Sequence, residues 1–387
     1  MGNVITFLAA PVSAPAGLWE SILGWIESGV INYGWTIILF TLLIKFAMSP
    51  LDFLIKFSTK KSTLVQQKLA PQTARLQKKF GNDQQAYQMQ VNALYKREGL
   101  NTVGSCLIML VNLIITMTVF LTIFNGLRVV SAYKTIEQYD KLQTTYTQSM
   151  TESLSAKISG VDFTSEEFDL ATFLNDETNK TTYAAEITQA KDESKQEILD
   201  TWNDAKESWL WIKNIWVADG AKSAMPTYDD LSQLAQSSKR TDYQEYVASL
   251  DQNIYTDISS TIQETETSWN GYYVLAIIAA LVTFLSQFIS QRATKLKNKN
   301  VQQIAENPNQ NGGMMKFMKI LMPVMMVIFV ISSSAAFGLY VVVSSMISIL
   351  LTLLISFFVN LLTKKKEEEV TEYLEKEALK LNRKKNK

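Results

Sequence analysis

Four apolar stretches in this chain are long enough to cross a bilayer, and they restrict its fold more than any other feature. They are Ile31–Ile55, Gly104–Asn125, Gly271–Ser290 and the double-length run Phe317–Leu362. A helix needs about 20 apolar residues to traverse the hydrocarbon core. In lipid each backbone N–H and C=O must be bonded inside the protein, which makes a single apolar stretch of this length a helix. The weakly polar break Ser332–Ala336 divides the last run in two. The expectation is an all-α membrane protein with five transmembrane helices.

Charge orients those helices. The formal net charge is zero over 387 residues, but residues 128–270 hold 12 Lys/Arg against 25 Asp/Glu, and the remainder holds 25 against 12. The basic residues cluster in Lys56–Arg97, Arg292–Lys319 and Lys364–Lys387, and residues 1–30 have none. Loops rich in Lys and Arg stay on the cytoplasmic side. The N-terminus and residues 128–270 are therefore expected outside, and the C-terminus inside, the cell membrane.

Composition excludes several chemistries. There is no histidine, which removes the usual proton shuttle and the commonest metal ligand. The single cysteine, Cys106, allows neither an intramolecular disulfide nor a zinc cluster. A serine nucleophile would have no histidine base, and no nucleotide motif is present. The chain reads as a protein without cofactors and not as an enzyme.

The stretch Trp35–Pro50, W-T-I-I-L-F-T-L-L-I-K-F-A-M-S-P, is apolar helix interrupted by one cation, Lys45. A charge near the bilayer centre costs roughly 3 kcal/mol on insertion scales and above 10 in simulations. Thr41 and Ser49 stand four residues to either side of Lys45, on its helix face. If the hydrocarbon edge lies at Ser49, Lys45 is roughly 6 Å deep; if the span runs to Ile55, it is nearer 15 Å. The shallow case permits snorkelling to the headgroups; the deeper one requires a polar cavity. In the second span, Asn112 and Thr116 are further polar groups that need partners or water.

The expected organisation follows in chain order. Residues 1–30 form an outer interfacial amphipathic helix, with Leu18, Ile22, Trp25 and Ile26 at helical spacing. The segment V-S-A-P-A within them resembles a signal-peptidase site, but the basic region that should precede it is missing. M-G-N-V-I-T fits a myristoylation pattern that an outside N-terminus makes accidental. Residues 31–56 are the first span, with Pro50 and Asp52 at its inner end. Residues 57–103 are a cytoplasmic αα-hairpin, with apolar rows Leu64, Leu69, Leu76, Phe80 and Tyr87, Val91, Leu94, Tyr95 on two helices of about 20 residues. Pro71 should bend the first of these or begin a new segment. Residues 104–127 are the second span, and 128–270 an acidic helical extracytoplasmic domain. In it Tyr133, Ile136, Leu142, Tyr146, Met150 and Leu154, then Ile187, Ile198, Trp202, Ala205 and Trp209, then Tyr243, Val247, Leu250, Ile254, Ile258 and Ile262 recur at helical spacing. Residues 271–291 are the third span, 292–315 a cytoplasmic loop holding E-N-P-N-Q-N-G-G, 316–335 the fourth span and 338–362 the fifth. Residues 363–387 are a basic cytoplasmic tail. Met314, Met315, Met318, Met322, Met325 and Met326 crowd the fourth span, where they serve either ordinary packing or varied apolar partners.

Several motifs resemble those of the YidC/Oxa/Alb membrane-protein insertases. L-A-P-Q-T-A-R-L-Q-K-K-F-G-N-D followed by L-Y-K-R-E-G-L-N-T-V-G-S-C is similar to that family's hairpin and next span. Lys45 and Pro50 match a basic residue five positions before a proline. W-L-W-I-K-N-I-W-V-A-D at 209–219 resembles the outer-side motif. Y-Y-V-L-A-I-I-A-A-L-V-T-F-L-S-Q from Tyr272, M-K-I-L-M-P at 318–323 and L-Y-V-V-V-S-S at 339–345 resemble the last three spans. The chain departs from the family in having lysine where arginine is frequent and Asn112 where glutamine is usual. It also has Ile114 for a proline, Val341 for an aromatic residue, Ser345 for an asparagine, and a much enlarged 128–270 segment. The resemblance implies an insertase that moves nascent hydrophobic segments into lipid through a cytoplasm-open polar groove. Thr41, Lys45, Ser49, Asn112 and Thr116 are the candidate groove residues. The implied partners are nascent membrane-protein clients, the ribosome and membrane lipids, with the Sec translocon and the signal-recognition-particle receptor as further candidates. Two alternatives are a secondary transporter or channel with Lys45 as substrate or gating charge, and a membrane-anchored sensor with a helical ectodomain. The first should show two related halves, and no internal repeat is visible.

Overall fold

In a computed structural model the described residues are 12–30, 32–80, 82–99, 102–165, 167–293 and 313–385. The myristoylation pattern at the N-terminus and most of the 292–315 loop lie outside them, as do the side chains of Met314, Met315, Met318 and Met322. The described residues are helical throughout, broken only by loops and one isolated β-bridge between Trp209 and Ile212. In chain order the helices are α1 (Leu18–Glu27), α2 (Tyr33–Phe80), α3 (Gln84–Arg97), α4 (Thr102–Lys157), α5 (Leu170–Asn175), α6 (Glu177–Thr182) and α7 (Ala184–Ala205). They continue with α8 (Tyr228–Ser238), α9 (Thr241–Ser249), α10 (Gln252–Thr265), α11 (Val274–Ala293), α12 (Gly313–Ile331) and α13 (Ala335–Lys385).

Three of these are long and apolar enough to cross a membrane: α2, α4 from Leu113 onward, and α13 to Lys380. A shorter apolar run, Val274–Ile289, lies in α11. The long helices do not stop where the apolar residues stop. α2 passes position 56, α4 passes position 127 and α13 passes position 362 without a break. Pro50, expected at an inner end, lies inside α2. A proline removes the N–H that would bond the carbonyl four residues back, here that of Phe46. The Ser49 hydroxyl donates to that carbonyl at 2.9 Å and so gives it a partner in place of the missing N–H. Pro71 also lies within α2.

The chain forms two compact units. One comprises residues to Phe40 with Thr122–Ile277 and Ile328–Tyr340; the other comprises Thr41–Leu121, Ile278–Val327 and Val341 onward.

The first unit has a large core. Ile136, Tyr139, Leu142, Tyr146, Met150 and Leu154 of α4 are buried along one face, as 3.6-residue periodicity requires. Ile198 and Trp202 of α7, Tyr243 and Val247 of α9, and Ile254, Ile258 and Ile262 of α10 close on them. The helices are individually capped: Asp169, Asp176, Thr227 and Asp251 each accept backbone N–H bonds at the start of α5, α6, α8 and α10. Such caps are worth about 1 kcal/mol each. On α1, Leu23 and Ile26 are buried while Leu18 and Trp25 are exposed. Its Trp19 ring meets Phe40 edge-on at 6.0 Å.

In the second unit, α3 folds back on α2 through Leu69 and Tyr95, with Val65, Val91 and Leu94 around them. Lys68 pairs with Glu98 at 3.1 Å. The side chain of Asp83 caps α3, and Gly99 follows its other end at φ +73°, in the region that favours glycine. α3 is accordingly 14 residues long rather than about 20. Leu64 faces a different neighbour. It is fully buried against Val370 and Leu374 of α13. Flanking pairs run in parallel order along both helices, with Lys60 to Glu367 at 3.3 Å and Arg75 to Glu377 at 2.7 Å. Lys56 donates to Thr352 at 2.8 Å.

Candidate functional site

Thr41, Lys45 and Ser49 occupy successive i, i+4 positions of uninterrupted α2 and therefore share a face. Thr41 is fully buried. Lys45 is half-buried amid exposed Leu43 and Phe46. The Ser49 hydroxyl is engaged by the Phe46 carbonyl, so this residue has a structural duty that the sequence pattern alone did not reveal. Asn112 and Thr116 are one turn apart on α4; Thr116 is exposed, and the Asn112 side chain lies outside the described residues. Thr41, Lys45 and Ser49 are thus brought together by one helix, and Asn112 and Thr116 by another.

A second constellation, not singled out from the sequence as a set of side chains, lies in the first unit. The segment 206–222 and the turn before α11 are stitched by two asparagines. Asn270 is fully buried. Its amide donates to the carbonyls of Asn214 at 2.9 Å and Ala218 at 3.0 Å, and its side-chain oxygen accepts the Asn214 N–H at 2.8 Å. Its backbone N–H donates to the Lys222 carbonyl at 2.7 Å, and Gly271 N–H to the Gly220 carbonyl at 3.3 Å. Asn214, also fully buried, donates to Gln138 of α4 at 2.9 Å.

This loop serves helix ends that begin with unbonded N–H groups. Asp219 accepts the Leu275 N–H at 2.6 Å, at the start of α11. The carbonyls of Val217 and Ile215 accept the Ala335 and Ala336 N–H groups, each at 2.8 Å, at the start of α13. Tyr33, at the start of α2, meets the Trp216 ring edge-on at 4.3 Å. Phe124 of α4 contacts Phe329 of α12 at 5.6 Å and Phe337 of α13 at 4.8 Å. One layer therefore gathers the N-terminal ends of α2, α11 and α13, the C-terminal end of α12, and the middle of α4. The one available signal was a pair of asparagines inside otherwise aromatic and apolar motifs, W-I-K-N-I-W and S-W-N-G-Y-Y.

At the start of the same loop, Lys134 of α4 pairs with Glu27 of α1 at 2.7 Å, with Glu137 at 3.8 Å and with Glu207 at 4.0 Å. Three carboxylates thus share one ammonium. Burial lifts Glu207 to about 7; Lys134 opposes the rise, and Glu27 and Glu137 add to it. The folded chain then holds a proton that the unfolded chain has released. This contribution to stability is full below about pH 4.5 and is lost as pH rises through about 7. It amounts to on the order of 3 kcal/mol. Glu207→Gln should therefore flatten the decline in thermal midpoint between pH 5 and pH 8, an outcome read by melting both proteins across that range. An unchanged slope would place the titration elsewhere.

Comparison with known proteins decides the family. The family model described as "60Kd inner membrane protein" matches residues 25–361. The chain belongs to that family. The match runs from α1 to within α13 and so contains both constellations. The YidC/Oxa insertases that the motifs resemble are this 60Kd inner membrane protein family. Curated relatives called "Membrane protein insertase YidC" include that of Aromatoleum aromaticum, 33% identical over 116 residues, covering 30% of this chain and 19% of the relative. The Pseudomonas fluorescens protein is 37% identical over 118 residues, covering 30% and 18%. That of Wolinella succinogenes is 30% identical over 131 residues, covering 33% and 22%. The aligned part is thus about a fifth of each relative's length. No solved structure matches the chain.

Proposed function

We propose that this 60Kd inner membrane protein family member is an insertase that delivers hydrophobic segments of nascent membrane proteins into the bilayer. The observation that carries the reading is Lys45, a half-buried cation on the most apolar part of α2, within a chain matched to this family over residues 25–361. In this reading α2, α4, α11, α12 and α13 cross the membrane. The common layer of helix ends supports five crossings in alternating directions. The N-terminus and residues 128–270 are outside, and the paired hairpin and tail are inside.

The client's difficulty is physical. Its short polar outer tail must pass hydrocarbon, where an unpaired polar group costs several kcal/mol. A groove lined by Thr41, Lys45, Ser49, Asn112 and Thr116, open to the cytoplasm and to lipid, shortens the dry part of that passage. Lys45 pairs with client carboxylates, and the client's apolar helix then enters lipid by its own partitioning. The stitched loop 206–222 seals the outer side. Ribosomes fit the basic inner face, and the Sec translocon and signal-recognition-particle receptor are candidate partners of the same side.

The test uses the full chain in lipid vesicles with a single-span client bearing a short acidic tail and no added nucleotide. Protection of the client from external protease should rise well above that in empty vesicles. Equal protection in both would overturn the proposal.

A further inference from the structure

The loop that closes the outer layer carries a feature its closing role does not use. Trp209 and Ile212 exchange two backbone hydrogen bonds, each 2.9 Å, and form a tight two-residue turn with Leu210 and Trp211 at its tip. Leu210 sits at φ +52°. This is the φ pattern of a II′ hairpin turn, whose first central position favours glycine. A leucine there is strained and, at 75% exposed, makes almost no contact in return. Trp211 beside it is also exposed.

The base of the turn is fixed to the first turn of α2. Asn32 donates to the Ser208 carbonyl at 3.0 Å. The Trp209 ring lies so close to Gly34 that a Cβ there would sit 2.3 Å from it. The Trp35 and Trp209 rings meet edge-on at 5.2 Å, and Trp35 is itself exposed. The tip is thus level with the start of a membrane-long apolar helix. Exposed Trp269 and Tyr272 precede α11 in the same unit. Tryptophan and tyrosine favour the membrane–water boundary, and apolar side chains of a surface element bury there.

We infer that the Leu210–Trp211 tip is a membrane-inserting finger that seats the outer loop in the outer leaflet, its partner being the lipid at the headgroup–acyl boundary. The strained leucine is retained because its side chain is taken up by lipid rather than by protein. The inference rests on the reading that α2 crosses the bilayer.

The test places an environment-sensitive fluorophore on Leu210→Cys in a Cys106→Ser background, with the full chain in phosphatidylcholine–phosphatidylglycerol vesicles. Leu39→Cys, on the exposed face of α2, and Lys195→Cys, on α7, serve as lipid and water references. For a side chain buried about 5–10 Å into the interface, a nitroxide high on the acyl chain should remove roughly half the emission of the label at the finger tip. Iodide in the water should quench that label far less than the one on α7. If the α2 label reports lipid and the tip label reports water, the finger is overturned and the crossing of α2 stands. If both report water, the crossing itself fails. A tip label that is wet in pure lipid but shielded in native membranes has a protein partner, which also overturns the lipid assignment. Should Leu210→Cys not fold, Trp211→Cys carries the same readout.

Discussion

Replacing Lys45 by alanine should remove at least nine-tenths of the insertion of a client with an acidic outer tail, and Lys45→Arg should keep it. Two unit charges 4 Å apart interact by about 4 kcal/mol at the effective dielectric of a partly wet protein interior. Losing even a third of that is a tenfold change in rate. Arginine keeps the charge and adds a bidentate geometry for carboxylates. A client with a neutral tail should lose much less, which separates charge pairing from general damage to α2. The measurement is protease protection in reconstituted vesicles, with both clients and all three proteins. Equal insertion by the alanine and arginine variants would sink the role given to Lys45. A loss that is the same for both clients would assign Lys45 to the integrity of the helix instead.

Asn270→Ala should be the most destabilising single change in this layer of helix ends, at about 3–5 kcal/mol. Most substitutions cost about 0.5–3 kcal/mol, and larger losses need a buried polar network to be broken. Asn270 meets that condition. Its fully buried amide satisfies the Asn214 N–H and the carbonyls of Asn214 and Ala218. Alanine would leave these groups dry and unpaired, each at a cost of about 1–3 kcal/mol. Asn270→Asp should be no better, since it keeps the acceptor, loses both donors and adds a charge at a fully buried position. Thermal and denaturant unfolding in detergent would measure the effect. A loss below about 1 kcal/mol would mean that water enters the loop and takes over these bonds.

What the sequence made legible were the features that depend on periodicity and charge. The apolar rows at Ile136–Leu154, Tyr243–Val247 and Ile254–Ile262 are buried in one core, because helical spacing alone selects the buried face. The cation in Trp35–Pro50 was visible because nothing around it is charged. Other features could not be read in this way. The rows on the hairpin gave no hint that Leu64 and Leu69, five residues apart, turn to different helices, α13 and α3. Pro50 looked like an end but lies inside α2, and the Ser49 hydroxyl bonds the carbonyl that the proline leaves without its N–H partner. Ser49, placed among the groove residues for its polarity, turns out to have that backbone task as well. Leu23 of α1 fell outside the expected face and is fully buried. The asparagine pair was least legible of all. Its partners include Ala218 and Gln138, 52 and 76 residues away along the chain, beyond any local pattern.

The bonds between Gly220, Lys222, Asn270 and Gly271 have a consequence for how such a chain tolerates change. They bring the two ends of residues 223–269 to within one hydrogen bond of each other. The excursion leaves and re-enters the loop at the same point, like a cassette with matched ends. Loop-closure entropy grows only slowly with length, about 0.6 kcal/mol per doubling, and here the closing bonds are supplied by the framework itself. The caps of α11 and α13 therefore depend on these closing bonds rather than on the length of the excursion, while its helices α8, α9 and α10 share the core of α4 and α7. Insertions at exposed turns of the excursion thus leave the closure of the frame untouched, whereas its removal would strip α4 and α7 of their packing partners.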